Sequence, residues 1–339
     1  MTYPMLLIVA IQMGLIVLLG FPQLRQMPSD SVFTRLRTRL CQRYVECGVQ
    51  REQLGTLEAL TLGYREGLTR TTRRSFQSAG AMHVLAVSGL HTGLLYWVLL
   101  TLFTGRGRWK PMYEERIKMA VLHGTLLLLM IGYAGLTGFS PSVCRSVVMI
   151  GVVSIGIVLR RDAMNINTLA IAAFLILLVR PGDIYSLSFQ LSFLAVAALL
   201  LIQPTNIVTV SLAAQLGTLP LCLYCFGQIS NYFLPTNLIV IPLASVMMGL
   251  ALAFFTIGWI PGLGTIIGSI LNAATWLMNT AVGWVESLPH SVTYITIDRT
   301  DMLLLYAAIL GGIYTMRRSL YGLIPTTIAV AAFIIHFVW

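Results

Sequence analysis

The sequence predicts an all-α polytopic membrane protein with about ten or eleven transmembrane helices, some of them broken, plus an amphipathic interfacial helix. Three observations predict it: 57% of the 339 residues are hydrophobic, only 10% are charged, and the apolar residues fall into long blocks. A soluble domain carries about 25% charged residues. A mean hydropathy of +0.83 is more than one soluble core can hide. The blocks lie at 4–21, 82–104, 119–137, 141–159, 165–180, 184–203, 207–227, 232–258, 262–288, 301–316 and 320–338. Their runs of Leu, Ile, Ala and Gly lack the alternation of a membrane barrel, so helices are the spanning structure.

Residues 1–21 read as an N-terminal transmembrane helix. No basic residue precedes its apolar stretch, and Leu18-Leu19-Gly20-Phe21-Pro22 carries no small-residue cleavage pattern, so the helix is expected to be retained. Residues 22–80 form an arginine-rich amphipathic interfacial segment, holding ten arginines between Phe21 and Gly80. At helical spacing Val32, Phe33, Leu36, Leu40 and Tyr44 share one face, with Arg35, Arg39 and Arg43 beside it and Arg37 at the other margin. Such a helix lies in the membrane interface with its arginines reaching headgroups or solvent. A second piece, Leu57 to Ser78, ends in Arg70, Arg73 and Arg74. These seven arginines are candidates either for lipid-headgroup anchoring or for docking a polyanion, where a row of them neutralises successive phosphates.

Residues 81–339 form a multi-helix domain. Its short loops carry Arg106, Arg108, Lys110, Arg116 and Lys118, then Arg160 and Arg161, then Arg317 and Arg318, all on one face by alternation. The positive-inside rule makes that face cytoplasmic and puts the arginine-rich segment outside. Polar groups inside apolar blocks are costly and therefore candidates for function. His83, Val87 and His91 fall along one face of the block at 82–104, with Ser88 three residues before His91. Arg145 lies about a turn into its block and needs a water-filled path, an anionic substrate or room to reach the interface. Gln190 and Ser192 follow on the next-but-one block, Gln215 and Pro220 interrupt another, and Asn237 and Pro242 the one after. Together they outline a polar, uncharged lumen, although helix packing explains such residues equally well. The Cys222-x-x-Cys225 pair sits in an apolar run without a second ligand pair and reads as packing. No cofactor and no metal cluster of His and Asp is expected.

Several ordered motifs resemble ComEC-type competence proteins. They are Leu60 to Arg65, Phe76 to Gly80, His83 to His91, Gly138 to Met149 with Arg145 at the arginine position, and Asn167 to Ala170. Further on come Phe189 to Phe193, Ala214 to Pro220, Phe226 to Gln228 and Asn237 to Pro242. The resemblance implies a channel in the bacterial cytoplasmic membrane that passes single-stranded DNA during natural transformation. It makes His83, Ser88, His91, Arg145, Gln190, Ser192, Gln215 and Asn237 the DNA-path candidates, and Arg35, Arg37, Arg39, Arg43, Arg70, Arg73 and Arg74 the docking candidates. Full-length members carry an outward OB-like domain and often a metallo-β-lactamase-like nuclease domain, neither of which is expected here. Membrane lipids, a separate DNA receptor, a nuclease and a cytoplasmic motor are therefore the expected partners. Two other readings stay open: an intramembrane serine hydrolase centred on Ser88 with His91 or His123 as base, and a small-molecule transporter.

Overall fold

In the computed structural model the described residues are 31–105, 116–161, 164–317 and 323–338, and they are almost entirely helical. The expected N-terminal helix at 1–21, most of the basic loop at 106–115 and Arg318 lie outside them.

Three short helices come first. Helix α1 (Val32–Glu46) starts at Ser31, whose hydroxyl accepts from the Thr34 amide at 3.1 Å. Helix α2 (Arg51–Leu62) ends at Gly63, whose φ of +68° closes the helix without a Cβ penalty. Helix α3 (Arg70–Ser78) is capped by Thr69. These helices dock lengthwise on the later bundle. Cys47, after α1, lies against Gly264 and Gly268 of helix α11 (Leu263–Ser287), and the Gln50 amide donates to Asn272 on the same helix at 2.9 Å. Thr56 donates to Asn279 at 3.1 Å, and Arg74 faces Glu286 at 3.9 Å. Residues 47 to 74 thus track α11 from one end to the other. The expectation of a purely interfacial segment fits α1 better than α2. Val32 and Leu36 stay exposed on α1, whereas nine of the twelve residues of α2 are buried. The difference comes from Gly55 and Gly67, whose backbones meet so closely that a Cβ on Gly55 would collide with Gly67.

Helix α4 (Gly89–Thr104) corrects the block at 82–104, because the helix begins seven residues later than expected. Ala81 to Ser88 is non-helical, yet Ala81, Val84, Leu85 and Val87 are buried. The start is fixed at Ser88, in extended conformation with its amide donating to His91 Nδ1 at 3.2 Å. His83, Val87 and His91 therefore do not share a helical face.

Beyond it run α5 (Arg116–Leu136), α6 (Pro141–Val158), α7 (Ile166–Val179) and a 3₁₀ turn at Pro181–Tyr185. Then come α8 (Leu187–Ile202), α9 (Ile207–Phe226), α10 (Phe233–Ile257), α11, α12 (Arg299–Arg317) and α13 (Leu323–Val338). Five helices are long and apolar enough to cross a membrane: Ile117–Leu136, Pro141–Val158, Ile207–Phe226, Phe233–Ile257 and Leu263–Ser287. Helices Gly89–Thr104, Ile166–Val179 and Leu187–Ile202 are apolar but shorter. At 1.5 Å per residue they reach only about 21–24 Å, against a hydrocarbon core of about 30 Å. Neither expected proline break occurs: Pro220 lies inside continuous α9 and Pro242 inside continuous α10. A proline removes a single N–H, and the flanking turns of a long apolar helix hold through it.

Two short strands, β1 (Gln228–Ser230) and β2 (Val292–Tyr294), pair antiparallel with Ile229 opposite Thr293. They tie the entry of α10 to the segment between α11 and α12. The core lies where α2, α4, α6 and α10 meet. There Tyr44 stacks on Phe254 with ring centroids 4.8 Å apart, and its hydroxyl lies 3.2 Å from Thr61 Oγ1. Tyr133 of α5 donates to the Thr61 carbonyl at 3.1 Å, joining α2 to α5.

Candidate functional site

Three helix N-termini converge beside the non-helical Ala81–Ser88 stretch. The first residue of α4, Gly89, abuts α6: a Cβ there would lie 3.1 Å from Ser146 Oγ. From α6, Arg145 Nη2 donates to Ser188 Oγ in the first turn of α8 at 2.6 Å. The N-caps of the three helices are all serines, Ser88, Ser140 and Ser186.

Capping differs from helix to helix, and the N-caps Gln50, Tyr232 and Gly262 also make no side-chain cap bond. Helices α7 and α9 are closed by Asn165 and Asn206, whose side chains accept from the amides of Thr168 and Thr209. Neither Ser140 nor Ser186 makes such a side-chain bond; Pro141 opens α6 without an N–H, and in α8 the Phe189 amide donates to the Ser186 carbonyl at 2.9 Å. The Ser140 hydroxyl is enclosed and has no partner among the described residues. Aligned peptide dipoles place about half a positive charge at each N-terminus. Arg145, only 3% exposed, adds a full one. The combined field favours an anion of phosphate size.

His91 stands in the same turn. Its Nδ1 accepts from the Ser88 amide, so Nε2 carries the proton; that nitrogen is buried and has no partner among the described residues. Ser88 Oγ also lies 3.1 Å from Nδ1. This is the spacing of a nucleophile and its base, but the same ring already serves as the cap of α4. His123, the other base considered, is held by Tyr96, which also contacts Ser154 at 3.0 Å and so ties α4, α5 and α6 together.

The remaining path candidates disperse. His83 is exposed in the non-helical stretch. Gln190 donates to the Ile184 carbonyl at 2.9 Å and braces the 3₁₀ turn. It also borders an apolar cavity of about 500 Å³ between α7, α8, α9 and α12, lined by Leu169, Phe193, Leu221 and Tyr306 among others. Ser192 and Gln215 are half-buried on α8 and α9. Asn237 is buried on α10, with its Oδ1 unpartnered among the described residues. No hydrogen bond among the described residues joins Gln215 or Asn237 to Arg145. Sequence reading missed Ser140 and Ser186, for which the only available signal was a serine just ahead of each apolar block.

The seven docking arginines divide by environment. Arg35, Arg39, Arg70, Arg73 and Arg74 are exposed. Arg37 instead lies over the Tyr64 ring at 5.4 Å. Arg43 donates to Glu46 at 2.8 Å and lies over Trp259 at 5.6 Å. Arg65, not among the seven, joins the exposed group. Partial desolvation, with the neighbouring Arg73 charge, pulls its guanidinium below the ordinary value.

The sequence offers no His/Asp metal cluster; in the fold Asp298, Asp301 and His336 come together, each offering a ligand atom within 4.8 Å of the others. Thirty-five residues separate Asp301 from His336, and only the pairing of α12 with α13 closes that distance.

Fold and site define a helical membrane protein with a buried arginine beside three converging helix N-termini. The family described as Competence protein matches residues 60–319, and the chain belongs to that family. It is 32% identical over 193 residues to ComE operon protein 3 of Bacillus subtilis, covering 54% of this chain and 24% of that protein. It is 31% identical over 147 residues to Recombination protein 2 of Haemophilus influenzae, covering 43% of this chain and 18% of that one. The chain thus spans about a quarter or less of these relatives' length. No solved structure matches it.

Proposed function

We propose that the chain forms a path for single-stranded DNA across the cytoplasmic membrane during natural transformation. The observation that carries this reading is Arg145, buried on α6 and held by Ser188 beside the side-chain-uncapped N-termini of α6 and α8. A buried arginine beside converging helix N-termini suits a phosphate in transit, and weak sites in series suit conduction better than one tight site. In this reading the exposed arginines of α1 and α3 collect the strand from outside. The basic loops at Arg160–Arg161 and Arg317 face the cytoplasm. In this reading the helices conduct the strand, and a DNA receptor, a nuclease and a cytoplasmic motor are proposed partners. Membership of the competence family supports the assignment.

The test is uptake of labelled DNA by cells carrying Arg145→Ala or Arg145→Lys in place of the wild type. A charge-assisted contact of about 1.5–3 kcal/mol corresponds to about a 10- to 150-fold loss of rate. Arg145→Lys should recover part of it. Undiminished uptake by Arg145→Ala, with the protein present in the membrane, would refute the proposal. The Ser88–His91 spacing of 3.1 Å supports the hydrolase as a second reading. Labelling by a fluorophosphonate probe that disappears in Ser88→Ala would favour it over transport.

A further inference from the structure

We infer that Asp298 and His336 form a binding site for a divalent transition-metal ion of the Zn²⁺ class, with Asp301 as the positioning carboxylate. The site joins the first turn of α12 to the last turn of α13, apart from the Arg145 region and independent of the transport reading.

The argument begins with helix capping. The Asp301 amide donates to Asp298 Oδ1 at 2.8 Å and the Asp298 amide donates to Asp301 Oδ2 at 3.2 Å, a reciprocal bond that fixes both carboxylates at the start of α12. Capping accounts for one oxygen of each. The other two point at a single imidazole: Asp301 Oδ1 lies 2.9 Å from His336 Nδ1, and Asp298 Oδ2 lies 3.8 Å from Nε2. A neutral imidazole carries one proton. With that proton on Nδ1 and donated to Asp301, the Nε2 lone pair faces a carboxylate across the gap. A cation bound between two such electron-rich groups would turn their mutual repulsion into attraction.

The arrangement matches the way proteins present histidine to a metal, where a carboxylate on one nitrogen fixes the tautomer and aims the other nitrogen at the ion. The Asp301 side chain is 6% exposed and so is held rigidly, while His336 and Asp298 are 46% and 56% exposed and give an ion access. A tetrahedral ion with bonds of about 2.0–2.1 Å sets its ligand atoms about 3.3 Å apart. The 3.8 Å gap closes to that by a small rotation of two exposed side chains. One imidazole and one carboxylate favour Zn²⁺ over Ca²⁺ or Mg²⁺, which take oxygen shells. The remaining positions are open to water.

Purified full chain, tag removed and treated with chelator, should bind one Zn²⁺ in calorimetric titration. His336→Gln and Asp298→Asn should each weaken binding at least tenfold. Asp301→Asn should weaken it about 10- to 100-fold, as for other groups that orient a ligand. X-ray absorption at the zinc edge should show nitrogen and oxygen neighbours and no sulfur. Unchanged gel-filtration profiles and unfolding temperatures of the metal-free variants show that the fold survives. Absence of Zn²⁺ binding by the wild type would overturn the inference. Binding that persists in the His336→Gln, Asp298→Asn double variant would overturn it too, as would a sulfur shell from the five cysteines.

Discussion

Neutralising the basic patch on α3 should change how single-stranded DNA binding responds to salt, and by a calculable amount. Arg70, Arg73 and Arg74 are exposed, and Arg74 keeps an 84% exposed side chain despite lying 3.9 Å from Glu286. Each phosphate neutralised on a single strand contributes about 0.7 to the slope of log K against log salt. Changing all three to Gln should flatten the slope by about 2. Between 50 and 200 mM salt the wild type should then lose about 20-fold more affinity than the triple variant. The assay is fluorescence anisotropy of a labelled oligothymidine with the protein in nanodiscs, repeated at four salt concentrations. Arg37→Gln with Arg43→Gln is the matched control. These arginines already lie over Tyr64 and Trp259, so their loss should lower the unfolding temperature and leave the slope nearly unchanged. An unaltered slope in the triple variant would refute the reasoning. So would a control that changes the slope as much as the triple variant does.

Two other predictions concern the docking of α1 and α2. A Cβ on Gly268 would lie 2.5 Å from the Cys47 carbonyl oxygen, so Gly268→Ala should destabilise the protein by about 1–3 kcal/mol. Gly283→Ala on the same helix meets nothing within 4 Å and should be neutral or stabilising by up to about 1 kcal/mol, read by thermal unfolding in detergent. Burial, reinforced by the Glu58 carboxylate, pushes the Cys41 thiol up to about 12. At pH 8 it should hold about 2,000-fold less thiolate than a thiol of ordinary pKa 8.5. The greater nucleophilicity of a basic thiolate offsets part of that, for a net slowing of alkylation by about 50- to 100-fold. Glu58→Gln removes the negative charge, lowers the pKa and should speed labelling, as mass spectrometry of the Cys41 peptide would show.

The long apolar helices were legible because their signal is local. Pro141–Val158 and Phe233–Ile257 are read from hydropathy alone, and the structure reproduces them within a few residues. The start of α4 was not legible, since Ala81 to Ser88 has the composition of a buried helix and differs only in where its backbone bonds go. Nor was the burial of α2. Its sequence alternates polar and apolar groups weakly, and what buries it is the Gly55–Gly67 approach with the bonds to Asn272 and Asn279, more than 200 residues away. Arg145 was legible as an isolated charge in an apolar block. Its partner Ser188 was not, because a serine among so many in apolar runs carries no distance information. The Asp298–His336 contact failed for the same reason. Periodicity places residues on faces of helices, but only packing brings helices together.

Helices of this chain differ in whether the N-cap side chain closes the first turn. Where a helix needs only to begin, as in α7 and α9, Asn165 and Asn206 close it with their own side chains, which contributes about 1 kcal/mol each. Where α6 and α8 begin, the capping serines forgo that stabilisation, although serine caps as well as asparagine does. A composition explanation therefore fails, since the residue type is right and the bond is unmade. The same ends carry the Arg145–Ser188 contact, and the Nε2 of His91, one helix away, is enclosed and has no partner among the described residues. A buried polar atom without a partner is costly in so apolar a protein, and under the transport proposal a phosphate beside Arg145 would offset part of that cost.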